Sequence, residues 1–339
     1  MAHDLPTSAA PLAAIDDLRI AFRGHDGRFS EAVRGLSLTL QKGERLGIVG
    51  ESGSGKSLTG RALLGLLPPA ARVSARALRF DGADLLAMPP RERRRLCGRQ
   101  MGMILQDPKF SLNPVMTVGA QLREAFARHA PKLGRREMRE KIVDALAAVH
   151  IRNPERVAAA YPHELSGGMG QRVMIAMMVS TGPRLLVADE PTSALDVLVS
   201  AQVLGVLDEM IAKHDTGLIF ISHDLPLVMS FCDRVVVMYA GRVVETCAAR
   251  DLLHAQHPYT RGLLAANPPL ANPPDELPVL ARDPAWLADT GCAPRDESAT
   301  RAGSDMDNST DDSASTLADS NANGDANRAA RSGAHGACR

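Results

Sequence analysis

Gly50-Glu51-Ser52-Gly53-Ser54-Gly55-Lys56-Ser57 follows G-x-x-x-x-G-K-[ST], a spacing whose chemistry is phosphate binding. Gly50, Gly53 and Gly55 permit sharp, close turns, so the backbone N–H groups of the loop, including those of Glu51, Ser52 and Ser54, converge on phosphate oxygens at a helix N-terminus. Lys56 supplies a mobile cation for β- and γ-phosphates, and the Ser57 hydroxyl suits Mg²⁺. A pair of acids, Asp189-Glu190, ends the apolar run Leu185-Leu186-Val187-Ala188. At the carboxyl edge of a parallel sheet, Asp189 is placed to hold Mg²⁺ and Glu190 to polarise an attacking water.

These groups need particular elements beneath them. Arg45-Leu46-Gly47-Ile48-Val49 predicts a strand feeding the glycine loop, and 56–67 predicts a helix stopped by Pro68-Pro69. Short strands are expected at 18–22 and 36–40, around a turn at 24–27. From 117 to 150 the spacing turns helical, and 167–179 predicts a further helix capped by Ser166. A strand at 185–188, a helix at 197–213 and strands at 217–221 and 234–238 complete the alternation. Strands alternating with helices imply an α/β fold with a mainly parallel sheet covered on both faces. The helical stretch between Gln106 and Thr181 interrupts that alternation as a subdomain.

The bulk numbers remove several classes. With 39 basic and 39 acidic residues the formal net charge is zero, so no global field draws the chain to nucleic acid. Five cysteines lie far apart, which suits a reducing compartment. The start of the chain carries Asp4, Asp16 and Asp17 and does not read as a signal peptide. The longest apolar run, 173–179, is a small part of the roughly 20 residues that span a bilayer. A cytosolic chain that borrows any membrane role from a partner is expected.

The motifs together resemble the nucleotide-binding subunit of an ATP-binding-cassette transporter, over about 16 to 245. Leu165-Ser166-Gly167-Gly168-Met169-Gly170-Gln171-Arg172 is similar to that family's signature; Gly170 departs from the larger residue many relatives carry. Gln106 matches the Q-loop glutamine, Ser193-Ala194-Leu195-Asp196 the D-loop, and Ser222-His223-Asp224 the switch histidine. The resemblance implies a P-loop NTPase cassette with an N-terminal antiparallel β subdomain, a mainly parallel core sheet and a helical signature subdomain. It implies ATP and Mg²⁺ as ligands: the loop 50–57, Phe22 (or, as runner-up, Phe29) stacking on adenine, and Ser166, Gly167, Gly168 and Asp196 completing the site of a partner. Catalysis falls to Glu190, His223, Gln106 and Lys56, and Mg²⁺ to Ser57, Gln106 and Asp189. Two ATP molecules would join a head-to-tail dimer with a twin or, by the habit of relatives, a paralogue.

Gln106-Asp107-Pro108 with Ser111-Leu112-Asn113-Pro114, and Gly241-Arg242-Val243-Val244-Glu245 with His257-Pro258-Tyr259-Thr260, resemble oligopeptide and dipeptide importers, whose close relatives move nickel complexes or glutathione. The implied partners are two transmembrane permeases, a second cassette and an extracytoplasmic solute-binding protein, with the chain peripheral on the cytoplasmic face of the inner membrane. The alternatives are the ATPase of an exporter or a soluble, non-transport ATPase. Cys292 begins like the relatives' cysteine-bearing element, but only Cys292 and remote Cys338 lie there, so no iron–sulfur cluster is expected. The basic cluster Arg91, Arg93, Arg94, Arg95 and Arg99 has no interleaved aromatic and is expected to be a solvated helix face. The expected divisions are a flexible 1–15, a nucleotide-binding domain at 16–250 (helical part about 107–181), a proline-rich extension at 251–296 and a disordered tail at 297–339.

Overall fold

A computed structural model describes residues 10–24, 26–106, 111–128, 133–179, 181–193, 195–266, 283 and 286. Expectations for Asp107-Pro108, Ala194, Cys292, Cys338 and the tail at 297–339 lie outside these residues.

Strands β1 (Ala13–Arg23) and β2 (Phe29–Leu40) pair antiparallel. The chain then leaves through β3 (Arg45–Val49) and helix α1 (Lys56–Leu64), and returns with β4 (Ala71–Ser74), β5 (Ala77–Phe80) and β6 (Ala83–Asp84) to complete a five-stranded N-terminal sheet. Helix α2 (Pro90–Leu96) leads to β7 (Met101–Ile104), and four helices follow: α3 (Val118–Ala127), α4 (Arg135–Ala148), α5 (Pro154–Ala159) and α6 (Gly167–Val179). The remainder is β8 (Leu185–Asp189), α7 (Val197–His214), β9 (Gly217–Ile221), α8 (Leu225–Phe231), β10 (Arg234–Tyr239), β11 (Arg242–Ala248) and α9 (Pro258–Ala265).

The second sheet runs β11-β10-β3-β9-β8-β7, parallel except for the β10–β11 hairpin. Every residue of β8 and β9 is buried, as expected of strands covered on both faces. Leu46, Ile48, Val187, Ile219 and Ile221 pack toward Leu18, Ile20, Val33 and Leu36 of the N-terminal sheet, while Val49, Ala188, Phe220 and Val237 belong to the helix-side core. In the helical segment, Leu122 and Phe126 of α3, Ile142 and Leu146 of α4, and Val173 and Met174 of α6 share one cluster.

Several boundaries differ from expectation for identifiable reasons. β1 begins at Ala13, inside the segment expected to be flexible, because a bulge at Asp16-Asp17 (Asp17 φ 49°) breaks the alternation that marks a strand. β2 begins at Phe29 rather than 36, its outer half carrying exposed polar residues. Helix α1 stops at Leu64, ahead of Pro68-Pro69, because Gly65 adopts φ 70° and caps it. Of the basic cluster, Arg93 is not solvated: its Nη2 donates to the carbonyls of Ala62 (2.5 Å) and Leu63 (3.5 Å) at the end of α1, where a cation complements the helix dipole. Packing also continues past 250 without a break, since Leu252, Ala255, Tyr259 and Thr260 are all buried.

Candidate active site

The phosphate loop joins β3 to α1, so its shape is set by a buried strand below and a helix above. Gly50 is obligatory: at φ 144°, a Cβ would lie 2.1 Å from the Met238 carbonyl oxygen. Gly55, at φ 100°, sits 3.0 Å from Ala32 O by the same measure, so β2 presses on the loop from the other sheet. Lys56 is buried, and its Nζ donates to Gly50 O and Glu51 O, both at 2.7 Å. Burial holds its pKa below the ordinary lysine value, against the opposing pull of Glu190, Asp189 and Glu51.

Ser57 donates its hydroxyl to Asp189 Oδ1 at 2.7 Å. Burial pushes the Asp189 carboxyl up, opposed first by that hydroxyl and then by Arg61. A hydroxyl and a buried carboxylate converging from the α1 N-terminus and the β8 end form a hard-oxygen donor set, which fits Mg²⁺.

Glu190 adopts φ 48°, an uncommon conformation for a residue with a Cβ, and its N–H donates to Ile221 O of β9. The turn aims its carboxylate at two partners. Gln106 Nε2 donates to Oε2 at 3.0 Å, and His223 Nδ1 lies 3.1 Å from Oε1. The Glu190 side chain is 18% exposed and that of His223 68%, so the carboxylate is sheltered while the imidazole faces solvent. Three residues remote in sequence therefore meet at one carboxylate. The Gln106 amide nitrogen faces Glu190 here, leaving its oxygen as the atom suited to a cation.

The signature residues Ser166, Gly167 and Gly168 stand at the start of α6, where Ser166 Oγ accepts from the Met169 N–H at 3.3 Å. Asp196 caps α7 in the same way, accepting from Val199 N–H at 2.9 Å. Gly168 lies against Leu195, bringing signature and D-loop side by side. Gln171, within the signature stretch, joins them: it is fully buried and its Nε2 donates to Pro191 O at 2.9 Å. Phe22, near the end of β1, is half-buried against the N-terminal core, whereas one face of exposed Phe29 is covered by the Arg72 guanidinium 3.6 Å from its centroid. His163 stacks on Tyr161, their ring centroids 5.7 Å apart. Tyr259, in the stretch His257-Pro258-Tyr259-Thr260 to which the sequence assigned no place in the site, reaches it: its hydroxyl accepts from the Glu51 N–H at 3.0 Å.

A phosphate loop, an acidic strand end and a signature helix on this sheet define the ATPase cassette of a membrane transporter. The family model for ABC transporters matches residues 33–193, and the chain belongs to the ATP-binding proteins of that family. It is 46% identical over 284 residues to the oligopeptide transport ATP-binding protein OppD of Salmonella typhimurium, covering 84% of each chain. It is 45% identical over 270 residues to the dipeptide transport ATP-binding protein DppD of Escherichia coli, covering 79% of this chain and 82% of the relative. Among solved structures, a dimeric ATP-binding cassette in a post-hydrolysis state bound to ADP and Pi aligns with a TM-score of 0.63 at 23% identity. That match covers 70% of this chain and 99% of the other, and it attests the fold. The chain is thus an ATPase of the ABC type. Among the described residues, no helix is long and apolar enough to cross a membrane.

Proposed function

We propose that this chain binds and hydrolyses ATP to drive import of oligopeptides, dipeptides or a related solute such as a nickel complex or glutathione. The observation that carries the catalytic half is Glu190, held in a left-handed turn with its carboxylate bracketed by Gln106 and His223. The loop 50–57 cradles the phosphates through backbone N–H groups, although the Glu51 N–H, expected among them, is taken by Tyr259; Lys56 neutralises the β- and γ-phosphates, and Phe22 stacks on adenine. Ser57 and Asp189, with the Gln106 side-chain oxygen, hold Mg²⁺, which shields the phosphate charge. Glu190 orients and polarises the attacking water, and His223 senses the γ-phosphate beside it.

Hydrolysis needs a second cassette. Ser166, Gly167, Gly168 and Asp196 serve the partner's nucleotide, and Val197 and Leu198, 84% and 78% exposed beside Asp196, supply an apolar face for that contact. Two permeases, a paralogous or identical second ATPase and an extracytoplasmic binding protein complete the system, with this chain peripheral on the cytoplasmic face of the inner membrane. No nucleic acid and no iron–sulfur cluster take part. A cassette that begins with β1 at Ala13 and packs without a break into the segment expected as an extension at 251–296, a helical part near 107–181 and a solvated tail at 297–339 form the working division.

The identity of the relatives supports import of peptides in particular. Purification of the tagged chain from gently solubilised membranes tests it. Two multi-span permeases, a second cassette and a binding protein are the expected companions. Ribosomal or DNA-repair partners with nothing from the membrane would overturn the transport reading, and permeases without a binding protein would favour an exporter.

A further inference from the structure

The segment His257-Pro258-Tyr259-Thr260 has no part in the chemistry described above, yet it reaches the ATP site. The Tyr259 ring is fully buried, with its centroid 4.6 Å from that of Tyr239 and 6.0 Å from that of Trp286. Tyr239 ends β10, which pairs with β3 directly beneath the phosphate loop (Val237 opposite Val49). From this aromatic seat the hydroxyl accepts the Glu51 N–H at 3.0 Å. On the other side of the same peptide stretch, Lys56 Nζ holds the carbonyls of Gly50 and Glu51. Gly50, next to Glu51, has no room for a side chain, since a Cβ would lie 2.1 Å from the Met238 carbonyl oxygen. The base of the loop is therefore held from two directions, one by Lys56 within the motif and the other by α9, more than 200 residues away in sequence.

We propose that Tyr259 is a positioning residue for nucleotide binding, its hydroxyl holding the first turn of the phosphate loop in the shape that aims the later N–H groups at phosphate. The Glu51 N–H bonds the tyrosine, the Glu51 carbonyl accepts from Lys56 Nζ at 2.7 Å and from the Ser54 N–H at 3.2 Å, and the N–H groups at the start of α1 are left to converge on the ligand. Seating of α9 on the cassette thereby sets the affinity of the ATP site. This rests on the loop being the nucleotide site.

Tyr259→Phe removes the hydroxyl and leaves the ring stacked. In the full-length protein, the Kd and KM for MgATP should rise about 3- to 10-fold, the worth of one neutral hydrogen bond, with kcat changed by less than about twofold. Hydrogen exchange at the Glu51 amide should quicken by a similar factor. Leu252→Ala, in the same terminal segment but without a hydrogen bond to the loop, should lower Tm and leave the KM for ATP unchanged. Wild-type ATP affinity and unchanged Glu51 protection in Tyr259→Phe would overturn the proposal. Equal KM increases in both variants would also overturn it, because loosened packing would then suffice. If the wild-type chain failed to bind MgATP, the nucleotide-site reading would fall, while Glu51 protection in Tyr259→Phe would still decide the brace.

Discussion

Replacing Glu190 with Gln separates chemistry from architecture. The amide keeps the side chain's length and the backbone at φ 48° favours neither residue over the other, so strain is unchanged. Its oxygen still accepts from Gln106, as Glu190 Oε2 does now at 3.0 Å. The altered contact with His223 is weak, because that imidazole is 68% exposed; polar pairs of this kind contribute under about 1 kcal/mol. Stability should therefore move by no more than about 1 kcal/mol, or roughly 2–4 °C in Tm for a domain of this size. Turnover should fall about 10²–10⁴-fold, the usual worth of a positioned base, equivalent to about 2.7–5.4 kcal/mol of barrier. Phosphate release at saturating MgATP, with ATP affinity and melting measured on the same preparation, distinguishes the two scales. Turnover within tenfold of wild type would refute Glu190 as the base, and a fall of more than about 10 °C would mean that its role is structural.

Other perturbations address the loop and the terminal helix. Lys56→Ala should cost on the order of 1.5–3 kcal/mol of ATP affinity, from one charge-assisted contact, and calorimetry showing unchanged binding would count against the assignment. Gly50→Ala should abolish ATP binding and destabilise the fold by at least about 2 kcal/mol, since it adds left-handed strain to the collision with Met238 O; a denaturant midpoint equal to wild type would contradict that geometry. His257 caps α9 by accepting the Tyr259 N–H on Nδ1, and burial holds its pKa below 6.5 despite nearby Glu245. The unfolded chain therefore takes up the proton first: the cap's contribution is complete above pH 6.5 and is lost as the pH falls below it. Tm should drop more between pH 7.5 and 5 in the wild type than in His257→Asn, and parallel curves would exclude the cap as the cause.

Local pattern made much of this molecule legible. The glycine loop, its feeding strand and the signature helix at Gly167–Val179 stand in the sequence because each depends on residues within a turn or two of one another. The buried strands β8 and β9 announce themselves as continuous apolar runs. What stayed hidden depends on distant partners or on backbone twist. Asp16-Asp17 masks the start of β1 because a bulge shifts the side-chain alternation, and Gly65 ends α1 before the prolines. Arg93 looks like a surface charge until the end of α1 is placed beside it. Gln171 and Tyr259 stand in recognisable motifs, but their contacts are not written there, and only the fold carries one to Pro191 and the other to Glu51. Gln106 and His223 were named by resemblance; their meeting at the two oxygens of Glu190 is what the geometry adds.

The most direct measurement is uptake of a labelled di- or tripeptide into vesicles holding the purified complex, with ATP on the side of this chain. Accumulation that requires ATP and disappears with Glu190→Gln is the predicted result. Peptide accumulation that proceeds equally with the Glu190→Gln subunit, or ATP hydrolysis without any peptide movement, would contradict the assignment of this chain as the engine of a peptide importer.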